Sequence, residues 1–152
     1  MYKKWLSCHS LAVGWYLKII IFEHSLINVS KKVLIIENDQ DIRNIMEFIL
    51  EEQGFETLST PEPEDLDEII PFKPDLILLD EFINNHPGHR LCKKIKQVNA
   101  LKDIPVIILS TANDIEMIAT ECNANDYISK PFNVSDMVDK VMRLVNHLPL
   151  AY

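Results

Sequence analysis

At 152 residues the chain suits one domain around a single core and leaves no room for a second large one. A net charge of −8 and a pI near 5.0 give no uniform basic field for phosphate backbones, which argues against nucleic acid as a direct partner. The three cysteines, Cys8, Cys92 and Cys122, are odd in number and lack metal or redox spacing, so they read as free thiols of a reducing cytoplasm.

Residues 1–30 read as an N-terminal extension. Its apolar runs, 11–17 and 19–22, are interrupted by Lys18, and a membrane span needs about twenty apolar residues. Lys3 and Lys4 precede them as in a signal peptide, yet no small-residue cleavage site follows before Glu23 and His24. Neither secretion nor a membrane anchor is expected. The segment reads as an appended element, or as an extension upstream of a start near residues 29–31.

From Lys31 the pattern becomes regular. Val33, Leu34, Ile35 and Ile36 form an apolar strand ending at Glu37 and Asn38, and Asp39 offers an N-cap for an amphipathic helix carrying Ile42, Ile45, Met46, Ile49 and Leu50. Gly54 ends that helix. A second strand covers 55–59. Pro61 and Pro63 then lead into a predicted acidic helix through Leu66, Ile69 and Ile70, stopped by Pro71 and Pro74. Leu76, Ile77, Leu78 and Leu79 make a fully buried strand that delivers Asp80 to its exit, because a parallel strand covered on both faces shows an unbroken apolar run. After a loop with Pro87 and Gly88 comes a helix bearing Leu91, Ile95 and Val98. The strand 106–109 ends at Ser110 and Thr111, and a helix over 113–122 follows, with Asn123 supplying a left-handed turn. Residues 126–129 form the last strand, Lys130 and Pro131 end it, and a closing helix runs over 134–147. Residues 31–147 thus make one domain, and 148–152 a short tail.

Five strands alternating with five helices predict a doubly wound parallel sheet in three αβα layers. Ligands of such sheets bind outside the carboxyl ends of the strands. Glu37, Asn38, Asp80, Ser110 and Lys130 should therefore meet at one rim. The chain has three glycines, Gly14, Gly54 and Gly88, so neither a dinucleotide fingerprint nor a P-loop is present.

With these motifs in order, the sequence from Lys31 to Val145 resembles the receiver domain of bacterial two-component response regulators. The resemblance rests on Ile36-Glu37-Asn38, on Pro74 to Asp80, on Pro105 to Ser110-Thr111-Ala112, and on Asp126-Tyr127-Ile128-Ser129-Lys130-Pro131-Phe132. It implies a flavodoxin-like fold in which Asp80 takes a phosphoryl group from a sensor histidine kinase or phosphotransfer protein. It also implies that Ser110 and Lys130 hold that group, that Ser110 and Tyr127 carry the switch, and that Mg²⁺ is held by Glu37, the residue-38 side chain, Asp80 and the Phe82 carbonyl.

The chemistry of the residues agrees. A carboxylate attacking an anionic phosphoryl group needs cations to offset repulsion. Two unit charges 4 Å apart interact by about 4 kcal/mol at an effective dielectric near 20. Mg²⁺ prefers oxygen ligands, Lys130 supplies a point charge, and Ser110 a hydroxyl donor. Asn38 departs from the family pattern, where an Asp usually stands, and its neutral oxygen should weaken Mg²⁺ binding. Asp39 is read as a cap and not a metal ligand, and Glu81 as facing away from Asp80. Asn84 and Asn123 replace a usual Pro and Gly.

Other residues have plainer readings. His86 and His89 lack a third patterned ligand and read as solvated, as does His147. Cys92 and Cys122 read as small core hydrophobes, and the acidic stretch 62–68 as a solvated face. Only five residues follow the closing helix, so the expected protein is a stand-alone receiver, not an enzyme on other substrates, that signals through phosphorylation-dependent binding to a protein partner. The expected docking face comprises the helix over 113–122, the last strand and the closing helix. The alternative is a phosphorylation-independent adaptor with a weakened metal site. A phosphohydrolase is disfavoured because Phe82, not a second acid, stands two residues after Asp80.

Overall fold

The computed structural model describes residues 30–146; residues 1–29 of the N-terminal extension, His147 and the short tail lie outside the described residues. Five strands form one parallel sheet: β1 (Lys32–Ile36), β2 (Glu56–Thr60), β3 (Leu76–Asp80), β6 (Val106–Ser110) and β7 (Asp126–Ser129), in the spatial order β2-β1-β3-β6-β7. A short antiparallel hairpin, β4 (Phe82–Ile83) and β5 (His86–Pro87), sits apart from it. The helices are α1 (Gln40–Glu52), α2 (Gly88–Ile95), α3 (Ile115–Glu121) and α4 (Val134–Val145). This is the flavodoxin-like strand order.

Alternate residues of the buried strands feed two separate cores. Leu34, Ile36, Ile77, Leu79, Val106 and Ile108 meet α2 and α3 through Cys92, Ile95, Ile115 and Cys122. Val33, Ile35, Leu76, Leu78, Ile107 and Leu109 meet α1 and α4 through Met46, Leu50, Met137 and Val141. Both cysteines are fully buried, as small hydrophobes. The Asp39 carboxylate accepts from the Asp41 and Ile42 N–H groups (2.9 and 3.0 Å), so it caps α1 as expected. Asn123 adopts φ 58° after α3.

The predicted acidic helix through Leu66, Ile69 and Ile70 does not form. Two 3₁₀ turns, Leu66–Glu68 and Ile70–Phe72, stand there instead. Prolines 61, 63, 71 and 74 leave too few residues between breaks for α-helical nucleation, and Pro71 falls within the second turn. Three helices are shorter than predicted: α2 stops at Ile95 before Val98, α3 starts at Ile115, and α4 ends at Val145. The β4–β5 hairpin was not predicted; Asn84 (φ 44°) and Asn85 (φ 68°) form its turn, the mirror-image geometry that favours Asn and Gly.

Candidate functional site

The strand order reverses between β1 and β3, and the rim outside that point carries the acids. Glu37 follows β1 and Asp80 ends β3; their exposures are 2% and 6%. Both are nearly out of water, so each needs a partner. Lys130, arriving from the end of β7, supplies one to both: its Nζ donates to Glu37 Oε2 at 2.6 Å and to Asp80 Oδ1 at 2.8 Å. A backbone bond brings it there, since Lys130 N donates to Ser110 O (2.7 Å) across the β6–β7 pair. The Lys130–Pro131 peptide is cis.

The electrostatics follow from this packing. Burial lifts the Asp80 carboxyl above its ordinary value, and Glu37 adds to the rise, while Lys130 and the Phe82 N–H pull against it. Burial alone would lower the Lys130 ammonium, but its bonds to Asp80 and Glu37 outweigh that and raise it. Lys130 therefore meets the two acids as an ammonium.

The other predicted residues divide. Ser110 lies at the rim, 6% exposed, its Oγ accepting from Ala112 N at 3.0 Å. The Asn38 carboxamide is exposed and its inner atom lies among acceptors: with nitrogen inward it donates to Phe82 O at 3.1 Å and to Glu37 Oε1 at 3.2 Å, whereas oxygen inward meets acceptors alone, the arrangement a cation between them would favour. Tyr127 is not in this cluster. It pairs with Ile108 from the edge strand β7, half-buried, with Lys140 Nζ 5.3 Å over its ring. Glu81 turns away from Asp80, accepting from His89 N (2.9 Å) and meeting His89 Nδ1 at 2.5 Å. His86 is exposed. Among the described residues no three His, Cys, Asp or Glu side chains gather as a metal-holding group. Two carboxylates, a carbonyl and, with its oxygen inward, the Asn38 carboxamide nonetheless make an all-oxygen donor set, and Mg²⁺ uses one or two carboxylates and keeps several waters.

Two contributors were missed from the sequence. Arg43 is 6% exposed and donates from Nη1 to Glu37 O and from Nη2 to Gln40 Oε1 (2.6 Å), holding the Glu37 backbone from beneath. The signal was a charged residue on the apolar face beside Ile42 and Met46. Gly88 lies against Asp80: a Cβ there would stand 2.0 Å from the Asp80 carbonyl oxygen, and its N–H donates to Glu81 O at 2.6 Å.

A model of the response regulator receiver domain matches residues 33–142, well over half of the chain and inclusive of every rim residue above. The chain belongs to this family. Among curated proteins, this receiver is 31% identical over 131 residues to the phosphate regulon transcriptional regulatory protein PhoB of Escherichia coli, an alignment covering 81% of this chain and 56% of that one. It thus spans about half the length of the curated relatives it matches. Among solved structures, a two-component response regulator from Clostridium difficile is 28% identical with a TM-score of 0.68, covering 80% of this chain and all of that one. The receiver domain of a sensor histidine kinase from Pseudomonas aeruginosa, solved with magnesium coordinated in its active-site cleft, shares the fold at 20% identity and a TM-score of 0.65, over 78% and 99% of the two chains. Among the described residues, no helix is long and apolar enough to cross a membrane.

Proposed function

We propose that Asp80 accepts a phosphoryl group from a phosphohistidine of a sensor histidine kinase or phosphotransfer protein, and that a downstream protein reads the phosphorylated state. The observation that carries this reading is the nearly buried Asp80 carboxylate at the strand exit, bonded to Lys130 at 2.8 Å, with Ser110 at the end of the neighbouring strand. A carboxylate oxygen attacks phosphorus, the P–N bond to imidazole breaks, and the imidazole nitrogen keeps the bonding electrons and takes up a proton. Lys130, already charged, follows the phosphoryl oxygens as negative charge moves onto Asp80. Ser110 turns its hydroxyl from Ala112 N to donate to the phosphoryl group.

Glu37, Asp80, Phe82 O and the Asn38 amide oxygen are the groups that would hold Mg²⁺, which when bound supplies the positive charge that offsets two anions meeting. The aspartyl phosphate carries about two negative charges at neutral pH where the carboxylate carried one, and its three outer oxygens draw new donors toward the rim. Catalysis on other substrates is not part of this reading, and a cytoplasmic setting is. Output is by protein contact: the expected face comprises α3, β7 and α4, and carries the exposed Met117 on α3. The test is exposure to a small phosphodonor with Mg²⁺, followed by intact mass. Wild type gains one phosphoryl group and Asp80→Asn gains none. A modified Asp80→Asn protein, or an unmodified wild type, overturns the assignment. A partner captured equally by both, with or without donor, would instead favour the phosphorylation-independent adaptor.

A further inference from the structure

The acidic rim is closed from two sides by nitrogen donors. Lys130 takes Glu37 Oε2 and Asp80 Oδ1, and the Asn38 amide takes Glu37 Oε1 and Phe82 O. Four oxygens that would face a divalent cation, Glu37 Oε1 and Oε2, Asp80 Oδ1 and Phe82 O, therefore face N–H groups when the Asn38 nitrogen is inward, and Glu37 Oε1 also accepts from Asp39 N at 3.1 Å. An aspartate at residue 38 would set acceptor against acceptor at these distances, a repulsion that a cation between them relieves. A carboxamide can serve both states, nitrogen inward without a cation and oxygen inward with one. Asn38 is exposed, so its amide can turn over without moving the core.

We propose that Asn38 is a latch: it stands in for the cation by tying Glu37 to the Phe82 loop, and it must break both hydrogen bonds and reverse its amide before a divalent cation enters. The latch rests on reading this rim as the cation pocket of a phosphoacceptor. Two carboxylates against one ammonium leave a single excess negative charge in the pocket, where an aspartate at residue 38 would leave two. Metal affinity is lower as a result, and the Phe82 loop is already ordered before any metal arrives. Because the latch competes with the cation, half-occupancy of this site needs a higher free cation concentration than it would with an aspartate at residue 38.

The experiment titrates the full chain with MgCl₂ by calorimetry and follows thermal unfolding with chelator and with saturating Mg²⁺, for wild type, Asn38→Asp and Asn38→Ala. Asn38→Asp should bind Mg²⁺ at least about tenfold more tightly, the lower edge of what partners of metal ligands contribute. It should melt below wild type in chelator and gain more from Mg²⁺ than wild type does. Asn38→Ala should also melt below wild type in chelator, yet gain none of the affinity. Equal Mg²⁺ affinity in wild type and Asn38→Asp overturns the latch, and so does an unchanged metal-free melting temperature in Asn38→Ala. Should Asn38→Asp not fold without metal, the Asn38→Ala melt still decides the matter. Phosphoryl uptake, read separately by intact mass, can fail in every protein without altering these outcomes, so loss of the phosphoacceptor reading and loss of the latch are told apart.

Discussion

Replacing Lys130 with Met keeps the length and apolar stem of the side chain and removes the charge between two buried acids. Its Nζ lies 2.6 Å from Glu37 and 2.8 Å from Asp80, and the three side chains are 14%, 2% and 8% exposed, so solvent screens them little. An attraction of about 4 kcal/mol per pair at 4 Å and an effective dielectric near 20 is partly cancelled by desolvation. Removing one partner of a buried ion pair costs about 3–5 kcal/mol. We expect the low end, about 3 kcal/mol, because Asp80 can escape by taking a proton. That escape gives the loss a pH dependence. In Lys130→Met the pull lowering the Asp80 carboxyl is gone, so its folded-state value rises further above the unfolded one. A group raised in this way binds its proton more tightly when folded, so the variant regains stability as pH falls through that value. Urea unfolding near neutral pH and again about two units lower should show the gap to wild type narrowing. A loss below about 1 kcal/mol, the level of an exposed pair, or a gap that does not change with pH, refutes the reasoning.

Gly88→Ala would drive a Cβ into the Asp80 carbonyl, 2.0 Å away, and should lower stability by about 3 kcal/mol or more, read as a shift in urea midpoint, while shifting the NMR signals of Asp80 and Phe82. Met46→Ala opens a hole under the fully buried face of α1 and should cost about 2–5 kcal/mol by the same measurement. Asp39→Ala removes the two-bond cap and should cost about 1 kcal/mol, with phosphoryl uptake unchanged because this carboxylate serves the helix.

How far the sequence could be read depended on how local the determining physics was. The apolar runs of β1, β3 and β6 state their own burial, and Glu37, Asp80 and Ser110 follow each run directly, so the rim is legible in the sequence itself. The segment between β2 and β3 misled because Leu66, Ile69 and Ile70 carry helical spacing while prolines on both sides deny the length a helix needs. The β4–β5 hairpin had a signal in Asn84-Asn85, a pair that tolerates positive φ at both turn positions, but two-residue strands are too short to show alternation. Arg43 showed only as a charge out of place on the apolar face of α1, its bonds to Glu37 O and Gln40 not being encoded by spacing, and Gly88 acts through a close approach to the Asp80 carbonyl that no periodicity marks. The Asn38 substitution was legible, yet its consequence was not, because which amide atom turns inward depends on Phe82, 44 positions away.

The backbone bond from Lys130 N to Ser110 O has a mechanical consequence. β6 and β7 are paired in register up to Ser110 and Ser129, one residue short of that bond. Ser110 and Lys130 consequently ride on a common two-strand lever. Any displacement that draws Ser110 inward carries Lys130 along the same path, and the far arm of that lever is the surface formed by β7 and its flanking helices.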